Sequence, residues 1–246
     1  MLRRLAAFTL LSGLVFAFVA KSASGQDWRT ASHEPVGLAP DPATTPEAVV
    51  QVYGARTWGW RGTFGVHTWV AVKPANATAY TVYEVIGWRL RGDNSVVFIH
   101  ARAADARWYG SVPELYSDKR GAEAEKLIPR IDAAARSYPY AKEYTAWPGP
   151  NSNTFTAWIT RAVPELQVDL PPTAIGKDYL GATIVGSAPS GRGLQFSLGG
   201  MFALTASAVE GLEVNLLGLT FGINPFDPAL KLPMLGRLGP ARPALP

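Results

Sequence analysis

The junction between a proline- and glycine-rich turn and an apolar helical pattern, at Pro148 to Phe155, most constrains the fold. Four apolar residues recur there at helical spacing: Phe155, Trp158, Ile159 and Ala162. Pro164 ends the run, so the sequence predicts a helix that starts at Ser152 and buries one face. A helix amino terminus carries unpaired N–H groups and the positive end of the helix dipole, which stabilise a thiolate or an oxyanion. Ser152 occupies this position in a chain that contains no cysteine.

The first 25 residues have the order of a secretory signal. Met1 to Arg4 supplies positive charge, Leu5 to Ala20 is almost purely apolar, and Lys21 to Gly25 ends in small residues. We therefore predict a signal peptide or an amino-terminal membrane anchor over residues 1–25, with residues 5–20 as the tether if the segment is retained. Either outcome implies an exported protein, periplasmic or anchored in the inner membrane and facing the periplasm.

The net charge of +4 is concentrated in this leader. Without its three basic residues, 20 Lys and Arg stand against 19 Asp and Glu, so the rest of the chain is nearly neutral and gives no support for nucleic-acid binding. The absence of cysteine excludes disulfides, thiolate chemistry and Cys-based zinc sites. His33, His67 and His100 lack a ligand spacing such as H-E-x-x-H, so we expect neither a metal nor another cofactor.

A chain of 246 residues with 48% hydrophobic content is long enough for one domain with a substantial core. We predict a linker over residues 26–46, a single domain over residues 47–239 and a tail over residues 240–246. The domain begins with alternating patterns that predict four strands, at 49–56, 66–73, 80–89 and 95–101. A helical pattern follows over 121–137, and Pro129 is expected to kink it or divide it in two.

Strand patterns return after the Ser152 helix. They cover 183–187, 194–198, 201–209 and 212–223, with Glu210-Gly211 as a hairpin turn, and residues 224–246 are predicted as a strap and a loose tail. Glu, Asn and Gly residues interrupt the apolar content too often for a membrane span, so we interpret these segments as core sheet. The fold class predicted is α+β, an antiparallel sheet with packed helices.

Three polar residues fall among apolar neighbours on the predicted strands. Alternation places His67 on one face with Trp69, and Glu84 on a face with Val82. A buried carboxylate is costly unless it is paired, so Glu84 is expected to have a partner. If the Ser152 helix packs over these faces, Ser152, His67 and Glu84 supply the nucleophile, base and orienting group of a catalytic triad. His100 is the alternative base or orienting residue.

Two elements of this pattern resemble a known fold group. Asn151-Ser152-Asn153-Thr154-Phe155 resembles the Asn-Cys-x-x-Phe element of the circularly permuted papain-like proteins, which include lecithin:retinol acyltransferase and relatives of the NlpC-type cell-wall peptidases. His67 to Val72 is similar to the strand that carries their catalytic His. The resemblance implies a permuted papain-like architecture, with the third polar residue at Glu84 or, less well, at His100. The departure is Ser152, which stands where that group has its Cys.

A second resemblance covers most of the chain after the leader. Tyr83 to Trp88, Trp147 to Phe155 and Leu216 to Gly239 are similar to an uncharacterised bacterial family, DUF3750. This family implies no known activity. The function therefore rests on the site residues and on the chemistry that they support.

Each candidate residue also has a purely structural interpretation. Ser152 is of a type that caps helices, His67 is of a type found partly buried and hydrogen-bonded in strands, and Glu84 has Arg89 and Arg91 as nearby partners in sequence. Two functions follow from these alternatives. One is an enzyme that hydrolyses or transfers acyl or amide groups of wall peptides or lipids. The other is an inactive pseudoenzyme that binds an envelope peptide, glycan or lipid.

Overall fold

The computed structural model describes residues 27–240, which form two antiparallel sheets and two α-helices. The predicted leader at residues 1–25 and all but the first residue of the predicted 240–246 tail lie outside this range. The α+β class is confirmed. No helix in the described range is long and apolar enough to cross a membrane.

The first sheet has five strands in the spatial order β4-β3-β2-β1-β5. They are β1 (Val49–Arg56), β2 (Val66–Lys73), β3 (Thr81–Val85), β4 (Val97–Ala101) and β5 (Glu114–Arg120). β1 and β2 match the prediction to the residue. The predicted strand at 80–89 is wrong beyond Val85, because Gly87–Arg91 turns into a 3₁₀ helix, and β5 was not predicted.

Two helices cover one face of this sheet: α1 (Gly121–Arg136) and α2 (Ser152–Ala162). Phe155 and Ile159 of α2 are fully buried in one core with Val70 of β2 and Ile131 of α1. The division of α1 expected at Pro129 is wrong, since one helix runs through that residue. Its apolar face is held by the sheet and by α2, and this burial outweighs the hydrogen bond that a proline cannot donate.

The second sheet has seven strands that follow chain order, each paired with the next. They are β6 (Val185–Ser187), β7 (Leu194–Leu198), β8 (Phe202–Ser207), β9 (Gly211–Leu216), β10 (Leu219–Asn224), β11 (Ala229–Leu232) and β12 (Gly236–Leu238). The single strand predicted at 212–223 is in fact the hairpin of β9 and β10, which turns at Leu217 and Gly218 with positive φ. The predicted strap contains β11 and β12.

The opposite face of the five-stranded sheet is covered by loops instead of helices. Tyr53 and Trp69 are fully buried there, with Tyr80, Val82 and Ala104. The segment predicted as a linker contributes as well, since Asp105 accepts hydrogen bonds from the N–H groups of Leu38 (2.6 Å) and Ala39 (3.1 Å). This loop-covered face carries the candidate site.

A buried ionic cluster joins the seven-stranded sheet to the rest of the molecule. Glu213 of β9 accepts from Lys177 (2.5 Å) and from Lys231 of β11 (2.7 Å). Lys231 also binds Asp169 (2.5 Å), and Lys177 binds Asp178 (3.2 Å). All five side chains are at most 2% exposed, so these contacts replace the water that the charges lose.

Candidate functional site

Glu84 is the centre of a buried polar cluster on the loop-covered face. One carboxylate oxygen lies 2.8 Å from His67 Nε2, and the other lies 2.8 Å from His100 Nε2 and 3.3 Å from Arg102 Nε. The Glu84 side chain is 1% exposed, whereas those of His100 and Arg102 are 23% and 18% exposed. The structure therefore brings together three of the four predicted site residues.

Strand register explains why these side chains meet. β3 pairs with β4 so that Glu84 lies opposite Phe98 and Val82 lies opposite His100. Side chains alternate along a strand, so Glu84 and His100 share a face and sit diagonally across the β3–β4 pair. The suggestion that Glu84 pairs with Arg89 or Arg91 is wrong. Arg89 instead binds Asp93 at 2.8 Å.

The charge state of the cluster follows from its contacts. Burial raises the pKa of Glu84, but hydrogen bonds from His100 and His67 and the charge of Arg102 outweigh it and hold that pKa well below its ordinary value. Burial is the largest influence on His67 and lowers its pKa, so the ring is neutral near pH 7. An ionised carboxylate only accepts hydrogen bonds, which requires the proton of neutral His67 to sit on Nε2. Nδ1 is then the basic nitrogen.

Aromatic rings fix the orientation of both histidines. Trp108 stacks on His67 with ring centroids 3.6 Å apart and planes within 12°, and Trp69 lies on the same ring at 5.8 Å. Phe98 stacks on His100 at 3.8 Å. Stacked rings leave each imidazole little freedom to rotate, so its nitrogen atoms keep their directions.

The amino terminus of α2 is capped by Asn151, not by Ser152. The Asn151 side chain accepts from the N–H groups of Asn153 (2.9 Å) and Thr154 (3.2 Å), and the Thr154 hydroxyl accepts from the Asn151 N–H (3.1 Å). This reciprocal arrangement is a capping box. The interpretation of Ser152 as the capping residue is therefore wrong by one position. Within residues 27–240 the Ser152 N–H makes no hydrogen bond.

Ser152 lies beside the start of β2, next to the residues that flank His67. The Thr68 hydroxyl lies 3.4 Å from the Ser152 carbonyl oxygen, and Asn153 Nδ2 donates to the Val66 carbonyl at 3.0 Å. Thr68 faces α2, whereas the His67 ring points to the loop-covered face. In the described part of the chain no hydrogen bond joins the Ser152 hydroxyl to His67. The backbone at Ser152 therefore lies against β2 beside His67, but the Ser152 hydroxyl is separate from the Glu84 cluster.

Two residues of the cluster were not predicted. Arg102 lies two positions after His100, and alternation gives a signal that places it on the same face. Trp108 comes from a loop after β4, and its contact with His67 has no periodic pattern in the sequence. Within residues 27–240 no group of three or more His, Asp or Glu side chains is arranged to hold a metal ion.

These observations define an α+β protein with a buried His–Glu–His cluster beside the capped start of a helix. The chain belongs to the family described as protein of unknown function DUF3750, which matches residues 47–179. This range includes the five-stranded sheet, both helices and all four predicted site residues, and it ends before β6. No curated protein matches the chain, and no solved structure matches it.

Proposed function

We propose that this chain is an exported cell-envelope protein that hydrolyses or transfers acyl or amide groups of wall peptides or lipids. Ser152 is the nucleophile, His67 is the general base, and Glu84 orients His67 with the help of His100. The observation that carries the proposal is the 2.8 Å contact between His67 Nε2 and ionised Glu84. It fixes the tautomer in which Nδ1 takes up a proton.

The reaction uses groups at the two ends of the site. The mechanism requires Ser152 Oγ to come within hydrogen-bond reach of His67 Nδ1, a contact that the described residues do not make. Ser152 Oγ then attacks the substrate carbonyl carbon while its proton passes to His67 Nδ1, and that proton goes on to the leaving amine or alcohol. The unbonded Ser152 N–H, at the positive end of α2, donates to the oxyanion. Water or an acceptor hydroxyl finally releases the acyl group from Ser152.

The permuted papain-like architecture belongs to the same proposal. Its support is the chain order of a His strand, a strand with the third polar residue and a later helix that starts at the nucleophile position. The contacts of Thr68 and Asn153 across β2 and α2 hold the His strand against that helix start.

A second candidate is a pseudoenzyme that binds an envelope peptide, glycan or lipid without turning it over. Two observations favour it. Ser152 lacks the thiol of the papain-like pattern, and its hydroxyl makes no hydrogen bond to His67 within residues 27–240. A serine without an adjacent base is a weak nucleophile.

Labelling with a fluorophosphonate probe separates the two candidates. Catalysis predicts that the wild-type chain is labelled at Ser152 and that Ser152→Ala and His67→Ala lose the label. His33→Ala is the matched control, because His33 contacts Tyr109 and takes no part in the Glu84 cluster. If folded wild-type protein stays unlabelled from pH 6 to pH 9, the enzyme proposal fails and the binding proposal stands.

A Ser152→Cys variant tests the electrostatics independently of the hydroxyl. If the helix start and His67 stabilise an anion at this position, the new thiol has a pKa below the reference value of about 8.5. Alkylation rates measured against pH report that pKa directly. A thiol that titrates at the reference value would show that the site lacks papain-like activation.

A further inference from the structure

Trp108 closes the candidate site on the side of His67. Its ring lies flat against the His67 imidazole, with centroids 3.6 Å apart, and Trp69 lies on the same imidazole at 5.8 Å. The His67 side chain is 6% exposed, whereas that of His100 in the same cluster is 23% exposed. A general base must come within hydrogen-bond reach of the group whose proton it takes. Access to His67 therefore depends on the position of Trp108.

A tight turn holds Trp108 in this position. Trp108 and Ser111 exchange two backbone hydrogen bonds of 3.0 Å, and the residues between them, Tyr109 and Gly110, have φ of 46° and 86°. A two-residue turn with positive φ at both positions favours glycine, asparagine or aspartate there. Tyrosine with such a backbone is strained, so contacts from outside the turn must hold it in this shape.

These contacts come from residues 31–40, which we call the amino-terminal segment. Backbone N–H groups join the segment to the residues around the turn: Gly110 donates to the Ser32 carbonyl (2.8 Å), Arg107 donates to the Glu34 carbonyl (3.0 Å), and Leu38 and Ala39 donate to the Asp105 carboxylate (2.6 and 3.1 Å). The segment therefore holds the strained turn, and with it Trp108, against His67.

The amino-terminal segment is itself held by few buried groups. Most of its residues are exposed, whereas β2, which carries His67, is buried along its whole length. Segments with few buried apolar contacts and exposed backbone hydrogen bonds open at a lower free energy than core strands do. We therefore expect the segment and the turn to open while β2 stays folded.

We propose that the amino-terminal segment and the Trp108 turn form a lid that controls access to His67, and that this structure shows the lid closed. Opening moves the Trp108 ring away from the imidazole. Glu84 stays bound to Nε2, because β2 and β3 remain paired, and Nδ1 becomes accessible. The role of the lid in catalysis rests on the proposed function, in which His67 takes a proton from Ser152. The lid itself requires only that His67 is covered and uncovered.

Carbethoxylation by diethyl pyrocarbonate, mapped by mass spectrometry on the full chain, tests the lid because this reagent acylates the neutral imidazoles that it reaches. Exposed His33 is the internal reference and is expected to react faster than His67 in the wild-type chain. Asp105→Ala removes the carboxylate that accepts from two amides of the segment. We expect it to speed the reaction of His67 by about tenfold, the effect of losing one hydrogen bond to a charged group.

Asp41→Ala is the matched control. Asp41 accepts from the Ala43 N–H, a contact that lies beyond the amino-terminal segment and does not reach the turn. We expect this variant to change the rate of His67 by less than about twofold. Equal rates for His67 in the wild-type chain and in folded Asp105→Ala overturn the proposal.

Hydrogen exchange of the wild-type chain is a second test that needs no variant, should Asp105→Ala fail to fold. A lid predicts that the amides of Leu38, Arg107 and Gly110 exchange together and faster than those of β2. Equal protection of these amides and of β2 overturns the proposal. Neither experiment involves Ser152, so the two proposals fail separately. A lid that opens in a chain that fluorophosphonate never labels supports the lid and overturns only catalysis.

Discussion

The two sheets of this molecule distribute polar and apolar residues in opposite ways. The five-stranded sheet buries an apolar face under α1 and α2 and carries its polar cluster, centred on Glu84, on the other side. The seven-stranded sheet turns its polar face inward, around Glu213, and exposes its apolar face. Burial alone therefore does not identify a site. In the first sheet the unusual feature is a buried charge, and in the second it is an exposed apolar surface.

The two buried charge clusters also differ in what they can do. Glu213 lies between two lysines that also contact Asp178 and Asp169, so each charge in this cluster is in contact with an opposite charge. Glu84 faces two imidazoles, one of which keeps a basic Nδ1. The first arrangement is suited to holding a sheet in place. The second is suited to moving a proton.

Glu213→Ala gives the largest expected effect. It leaves Lys177 and Lys231 buried with one fewer carboxylate each, and we expect a loss of about 3–5 kcal/mol in the free energy of unfolding. Urea denaturation followed by circular dichroism measures it. The control is Glu165→Ala, which breaks a 2.6 Å contact with Arg130 between side chains more than 40% exposed and is expected to cost less than about 1 kcal/mol. Equal losses in the two variants would contradict a structural role for the buried cluster.

Truncation of apolar residues tests the contrast between the two sheets directly. Ile159→Ala removes a fully buried side chain between α2 and the five-stranded sheet, and we expect a loss of about 2–5 kcal/mol. Leu212→Ala, on the exposed face, is expected to cost less than about 1 kcal/mol because little area leaves the core. The same denaturation experiment compares them. A loss above about 2 kcal/mol for Leu212→Ala would mean that this face is covered in solution.

The sequence predicts the parts of the fold that rest on local periodicity. Alternation located β1, β2 and β7, and the apolar spacing after Ser152 located α2. It also placed Glu84 among apolar residues that required a partner. What it missed depends on contacts between distant segments. The burial of Lys177 and Lys231 is not predicted by alternation, because both residues are charged. They are buried because they pair with Glu213 and Asp169, which lie far away in the chain.

The pH dependence of stability isolates the Glu84 cluster. His67 has a lowered pKa in the folded chain, so below about pH 6.5 the unfolded chain binds a proton that the folded chain does not, and stability falls as the pH falls. The slope contributed by this residue approaches about 1.4 kcal/mol per pH unit. Glu84, whose folded pKa is lowered, loses its contribution only below the unfolded value of about 4.3. Unfolding curves from pH 7.5 to pH 5 are expected to show a shallower slope for His67→Gln. Identical slopes would contradict a lowered pKa for His67, because a residue with the same pKa in the folded and unfolded chains contributes no slope.

The smallest effect is expected at a contact between the loop before α2 and the seven-stranded sheet. Trp147, in the loop before Ser152, donates from Nε1 to the Leu217 carbonyl at the turn between β9 and β10 (2.8 Å). Trp147→Phe keeps an aromatic ring but removes this donor, so we expect a loss of about 0.5–1.5 kcal/mol, the net value of one hydrogen bond. Hydrogen exchange of the Leu217 and Gly218 amides is expected to accelerate in the variant, while exchange in β1 and β2 stays unchanged. Faster exchange throughout the five-stranded sheet would show that the two sheets unfold as one unit and do not open separately at this contact.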